Sequence, residues 1–130
     1  MLYSMSEVKR ARAARAKVQT ESQIVSAILA AFKLQKVRAW KVNAGTILGE
    51  HKGKRWAVRG APKGTPDILV HLRGPFWGLI EVKRPGKRLS DDQETWHKEA
   101  RAEGILVDWC TSVAGAQAIR HGWLTKVFGR

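Results

Sequence analysis

Two short runs, 67–72 and 76–83, flank Arg73-Gly74-Pro75 in this chain, and no other feature constrains its fold as tightly. Alternation within the runs and a Gly-Pro turn between them predict an antiparallel β-hairpin. Pro66 fixes the backbone just ahead of Asp67 and has no amide hydrogen to donate, which suits the first position of a strand. On the return strand Trp77, Leu79, Glu81 and Lys83 share one side, with Ile80 and Val82 on the other. Glu81 thus emerges from the end of an apolar stripe, where a charge needs a partner. Antiparallel pairing places the start of the first strand beside the end of the second, so Asp67 is expected next to Glu81.

The remaining elements arrange themselves around this hairpin. Thr20 and Gln23 have the spacing of a capping box, opening a helix whose Ile24, Val25, Ile28, Leu29 and Phe32 build one apolar face. Glu21 projects toward that face from the first turn, where an acid also complements the helix dipole. Residues 38–43 read as a strand with Trp40 and Val42 on one side. Residues 44–53 contain three glycines and read as a loop, and Lys54–Arg59 as a short strand with Trp56 and Val58 on one side. Trp40 and Trp56 are expected in the core, as large aromatics in small domains generally fill the interior. Ser90 and Gln93 form a second capping box before a helix that presents Leu89, Gln93, Trp96 and Ala100 on one face and stops at Gly104. Residues 105–110 predict a buried strand, and Thr111 or Ser112 caps a last short helix through Ile119, ahead of a basic tail.

At 130 residues the chain has the size of one domain. We divide it into a basic N-terminal arm, 1–19, and a single domain, 20–130. Residues 6–19 of the arm predict a helix of alanine and basic residues, either a DNA contact or a solvated charged face. The 24 Lys and Arg outnumber 11 Asp and Glu, for a formal net charge of +13, which calls for a polyanionic partner. Lys33 to Lys63 carries nine Lys and Arg against Glu50 alone, making Lys52, Lys54, Arg55, Arg59 and Lys63 the expected phosphate-facing residues. A membrane partner is disfavoured, because the longest apolar stretch falls well short of the roughly 20 residues that span a bilayer. The N-terminus has no apolar core of a secretory signal, so a cytoplasmic location is expected. Cys110 is the single cysteine, which excludes an internal disulfide and a Cys-rich zinc site, and its apolar surroundings suit a buried thiol. The four histidines lack the helical pairing of a zinc motif, and His97 is not expected to be a ligand.

Phosphodiester hydrolysis requires an activated water, a screened phosphate and a stabilised leaving oxygen. Mg²⁺ or Mn²⁺ on hard oxygen ligands meets all three needs, and Mg²⁺ keeps several waters beside one or two carboxylates. Asp67 and Glu81 can supply those carboxylates and the Val82 carbonyl a third oxygen. Lys83 can then act as a point charge on the attacking water or on the transition state. Without further context, the competing reading of Glu81 and Lys83 is an ion pair on an exposed strand.

Gly64-Thr65-Pro66-Asp67, then Glu81-Val82-Lys83, then Ser90 and Gln93 opening a helix, resembles the PD-(D/E)xK nuclease superfamily. Within it the chain is most similar to the VRR-NUC group, the virus-type replication-repair nuclease domain, over roughly residues 20 to 110. That group also has a helix-borne Glu before the core, matched by Glu21, and an Asn at a strand end, matched by Asn43. The resemblance implies an α/β fold, a restriction-endonuclease-like core with a mixed central sheet flanked by helices. It implies a catalytic set of Glu21, Asp67, Glu81, Lys83 and Gln93, with Asp67, Glu81 and Val82 on the metal and Asn43 on DNA. It also implies a small homodimeric endonuclease acting on branched DNA such as four-way (Holliday) junctions in repair, as in stand-alone, virus-like members. The larger Fanconi-associated relative carries additional domains and cuts flaps. The other readings are a restriction-like or nicking nuclease on ordinary duplex, and a non-catalytic DNA-binding protein of the same fold.

Overall fold

A computed structural model describes residues 4–9 and 19–129. Helix α1, Glu21–Leu34, starts at Thr20, whose hydroxyl accepts the Gln23 amide at 3.1 Å while the Gln23 side chain accepts the Thr20 amide at 2.9 Å. Its buried residues Ile24, Val25, Ile28 and Phe32 follow the apolar spacing of the sequence. Each such side chain stabilises the fold by about 1.5–3 kcal/mol on burial. Of the predicted N-terminal helix, residues 5–9 are helical, and 10–18 lie outside the described residues.

The central sheet has the order β1 (Ala39–Lys41), β4 (Ile68–His71), β5 (Trp77–Val82), β6 (Leu106–Cys110). The first three strands are antiparallel, and β5 runs parallel to β6, so the sheet is mixed. Helix α2, Asp91–Ala102, connects the two parallel strands, as a parallel pair requires. Period-2 alternation divides the faces. Ile68, Val70, Ile80 and Val82 pack with α1 and with Ala116 and Trp123 of helix α3, Val113–Phe128. The odd-numbered residues of β5, Trp77, Leu79 and Glu81, face the opposite side, where α2 lies.

Three expectations are corrected. Residues 44–53 are largely strand: β2, Thr46–His51, pairs antiparallel with β3, Lys54–Arg59, as a separate two-stranded ribbon. The glycines that suggested a loop serve the hairpin. Lys52 and Gly53 both have positive φ, 49° and 75°, as a tight two-residue turn of this hand requires. Trp40 and Trp56 are not core residues, being 50% and 46% exposed. Trp40 lies on an edge strand and meets Trp77 edge-on at 5.2 Å, and Trp56 lies on the ribbon. The last helix does not stop at Ile119 but runs to Phe128 and ends at Gly129, whose φ of 77° forms a left-handed cap. Arg120 keeps the helix on the sheet by donating to the carbonyls of His71 and Leu72 at 2.9 and 3.1 Å.

Trp123 explains one further residue. Its indole lies against Gly78 of β5, where any Cβ would overlap the ring. Gly78→Ala is therefore expected to lower stability by about 1–3 kcal/mol through overpacking, read as a reduced midpoint in urea unfolding. An unchanged midpoint would show that α3 can shift to make room.

Candidate active site

The hairpin delivers its two acids as its alternation requires. Ile68 pairs with Ile80, so Asp67, one residue before β4, lies opposite Glu81 near the end of β5. Three local features hold Asp67. Pro66 is buried beneath it. The preceding turn is closed by Thr65, whose amide and hydroxyl both donate to the Pro62 carbonyl, at 3.1 and 2.6 Å. Gly64 adopts a φ of +92° that brings the turn against Trp96 of α2. The Asp67 carbonyl accepts the Val82-side strand's opposite neighbour, the Val42 amide, at 2.6 Å. Its carboxylate Oδ2 accepts the Val82 amide at 2.8 Å, which points the side chain at β5.

Glu81 is 3% exposed. Its Oε1 accepts the Gln93 side-chain amide at 3.1 Å and lies 3.9 Å from Lys83 Nζ. Lys83 is itself largely buried, so the pair is not the exposed surface contact that a strand-face reading allowed. The Glu81 Oε2 is buried and has no hydrogen-bond partner. Burial first, and then the nearby Asp67 carboxylate, raise its pKa to about 8 against the opposing pull of Lys83. Glu21 adds a smaller upward push from the first turn of α1.

Gln93 has two assignments in the sequence, cap and site residue, and its amide divides between them. The oxygen accepts the Ser90 amide at 2.9 Å as half of the capping box, leaving the nitrogen for Glu81. Glu21 stands further out. It is exposed, and among the described residues no three His, Cys, Asp or Glu side chains are grouped closely enough to hold a metal together. The closely held acids are two, Asp67 and Glu81. Val82 points its side chain into the core, so its backbone carbonyl is what it offers. Two carboxylates, a carbonyl and a buried, unpartnered carboxylate oxygen fit a hard divalent cation such as Mg²⁺ or Mn²⁺ that retains water ligands.

The residues assigned to DNA are exposed and lie on the ribbon or at its foot. Asn43 is exposed at the end of β1, and its carbonyl accepts the Ala61 amide at the foot of the ribbon. Lys52, Lys54, Arg55 and Arg59 are exposed on the ribbon. Lys63 is also exposed and lies 3.8 Å from Asp92, a contact that contributes little in water. His97, one helical turn beyond Gln93, is buried with both ring nitrogens unpartnered, and burial lowers its pKa, favouring the neutral ring. Cys110 is a buried free thiol whose pKa burial raises to about 11. Sequence reasoning missed Trp56 as a displayed residue. The available signal was Lys52-Gly53, a tight-turn pair between two six-residue runs.

A mixed sheet that places Asp67 and Glu81 at adjoining strand ends, with Lys83 two residues on, is the PD-(D/E)xK nuclease arrangement. The family model described as the VRR-NUC domain matches residues 19–114, and the chain belongs to that family of virus-type replication-repair nucleases. No curated protein and no solved structure matches the chain. No described helix is long and apolar enough to cross a membrane.

The Glu81 carboxyl binds its proton more tightly in the folded chain than in the unfolded one. Its contribution to stability is full below the ordinary carboxylate range, near 4.5, and is lost as pH rises through about 8. Glu81→Gln, which keeps the shape and removes the titration, should raise the melting temperature of the metal-free protein at pH 9 and leave it nearly unchanged at pH 4. The difference corresponds to a few kcal/mol at most, on the order of the linkage expected for such a shift. Parallel melting profiles of variant and parent across that range would refute the assignment.

Proposed function

We propose that the protein is a metal-dependent, structure-selective DNA endonuclease that cuts four-way junctions or related branched DNA. The observation that carries this reading is the pair of a half-buried Asp67 and a buried Glu81, adjacent and attended by Lys83 and Gln93, within a VRR-NUC domain. Asp67, Glu81 and the Val82 carbonyl would hold Mg²⁺ or Mn²⁺, which would supply charge screening of the phosphate and a more acidic water. The chain's own groups do the rest. The Val82 amide and the Gln93 amide fix one oxygen of each acid, leaving the other available. Lys83, close to Glu81 and shielded from solvent, sets a positive charge where negative charge grows on the phosphate and its leaving oxygen. Glu21 acts from the rim of the site, biasing its electrostatics.

Exposed Asn43, Lys52, Lys54, Arg55, Arg59 and Lys63 carry the DNA backbone contacts, with the basic N-terminal arm extending them. The active form is a homodimer, in which two-fold symmetry lets paired sites incise opposing strands of a junction. Support for this part is the resemblance to small stand-alone members of the family. The setting is DNA repair or recombination in the cytoplasm of a bacterial or phage-infected cell.

Asp67→Ala and Glu81→Ala should each reduce cleavage by at least about 100-fold while junction binding stays within about 3-fold, since binding rests on the basic surface. Cleavage assayed with Mg²⁺, Mn²⁺ and EDTA, alongside gel-shift binding, reads both quantities. Undiminished metal-dependent cleavage by both variants would remove the site assignment. Wild-type binding without any cleavage would favour a non-catalytic DNA-binding role.

Substrate choice is a separate expectation. Initial rates on a four-way junction, a flap and a linear duplex of equal length should fall in that order. Equal rates on all three would instead favour a nuclease of ordinary duplex.

A further inference from the structure

The β2–β3 ribbon has no part in holding the acids, yet it spans twelve strand residues and their turn. Its strands pair only with each other, and every residue of β3 is exposed. A two-stranded ribbon alone is marginally stable in water. This one also shows solvent three large apolar side chains, Leu48 at 77%, Val58 at 53% and Trp56 at 46% exposure. Its charge indicates the partner. Lys52, Lys54, Arg55 and Arg59 accompany a single acid, Glu50, so the ribbon is complementary to a polyanion.

Trp56 is not loosely displayed. It pairs across the ribbon with Gly49, and its indole lies over that glycine so closely that a Cβ there would overlap the ring. An aromatic cover over an interior strand glycine steadies a ribbon. It also holds the indole in one orientation with much of its surface still open, so little side-chain entropy remains to be lost on stacking. The alternation of β3 places Lys54 on the same ribbon face. A cation beside a fixed aromatic is the combination with which proteins grip unpaired nucleotides, the base stacking and the phosphate paired.

The ribbon's foot is tied to the acids. The Gly60 amide donates to the Gly45 carbonyl, the Gly45 amide to Ala61 and the Ala61 amide to Asn43. One residue before Asn43, the Val42 amide donates to Asp67. Trp56 lies five residues before Ala61, a span of up to about 17 Å at the rise of a strand. That distance corresponds to about five stacked nucleotides.

We propose that Trp56, seated on Gly49 of the basic ribbon, is a stacking platform for an unpaired nucleobase of the DNA, several nucleotides from the bond to be cut. The ribbon is then the element that distinguishes a branch point whose bases are unpaired, or open when the protein binds, from intact duplex. This inference rests on the nuclease reading above and specifies how that nuclease recognises its substrate.

The test uses the full chain in EDTA, so that catalysis plays no part. A fluorescent base analogue, 2-aminopurine, is placed singly along the unpaired arm of a splayed duplex and, as control, inside a fully paired duplex. Binding by the wild type should quench the analogue at one or two unpaired positions and leave the paired control unchanged. Trp56→Ala should abolish that quench and weaken splayed-arm binding by roughly 10-fold or more, with duplex affinity within about 2-fold. Gly49→Ala should reproduce the loss although the indole remains, because the seat is taken. Trp56→Phe should retain part of both. Melting temperatures close to that of the wild type would show that the variants keep the core.

A quench that persists in Trp56→Ala overturns the proposal, as does an equal loss of affinity for duplex and splayed DNA. A change of sedimentation-derived oligomeric state in Trp56→Ala, with the quench intact, would also overturn it and make the ribbon a contact between two copies of the chain. Wild-type binding without quenching overturns only this proposal, whereas no wild-type binding to either DNA overturns the DNA-nuclease reading with it.

Discussion

The hydrogen bond from the Val82 amide to the Asp67 carboxylate is the contact on which the rest of the site depends. The β4–β5 ladder ends at Ile68 and Ile80, so at the next positions a carboxylate takes the place that a carbonyl would otherwise fill. That substitution pins Asp67 toward β5 and brings a second acid against Glu81, which burial has already deprived of water. Two like charges close together in a poorly solvated place do not coexist without compensation. Gln93 and Lys83 supply part of it, each from its own direction. The unpartnered Oε2 of Glu81 is what remains uncompensated, and it is why a cation fits this arrangement better than an ion pair alone.

Much of this was legible because it depends on short-range rules. Period-2 alternation assigned Glu81 to the side facing α2, and the hairpin assigned Asp67 to its neighbourhood. Both capping boxes formed as read, since Thr20–Gln23 and Ser90–Gln93 are satisfied within four residues. The role of Gln93 was legible only in half. Its oxygen is committed by local spacing, but the contact of its nitrogen with Glu81 joins residues twelve apart and requires α2 to cross the sheet at one particular height. Glu21 shows the converse. Its position on α1 was clear, whereas its distance from the acids depends on how α1 packs, and it stands outside a three-acid cluster.

The misread segments share a physical cause: residue types whose usual role was overridden by one partner. Gly45, Gly49 and Gly53 resemble a flexible loop by composition, yet Gly53 makes a tight turn and Gly49 makes room for an indole on the opposite strand. Trp40 and Trp56 have the size of core residues, but the core is already filled by Ile24, Ile28, Phe32, Ile68 and Ile80. The last helix outran its expected end because Arg120, read as part of a basic tail, spends its charge on the carbonyls of His71 and Leu72. Side-chain charge alone does not distinguish a solvated cation from one that docks a helix.

Rigidity and charge are distributed in opposite ways across the chain. Pro66, Ile68, Ile80 and Val82, which flank the two acids, are among the most completely buried residues in the protein. A carboxylate held near its neighbour against electrostatic repulsion needs such a frame, because a frame that yielded would let the acids separate and would forfeit the geometry a cation requires. The cations of the ribbon sit instead on backbone with few contacts to the core, all of it exposed. Phosphates of a branched substrate have no single geometry, and long-range attraction tolerates displacement that coordination does not. Packing is therefore densest where distances decide the chemistry, and sparse where charge has only to meet a polyanion of variable shape.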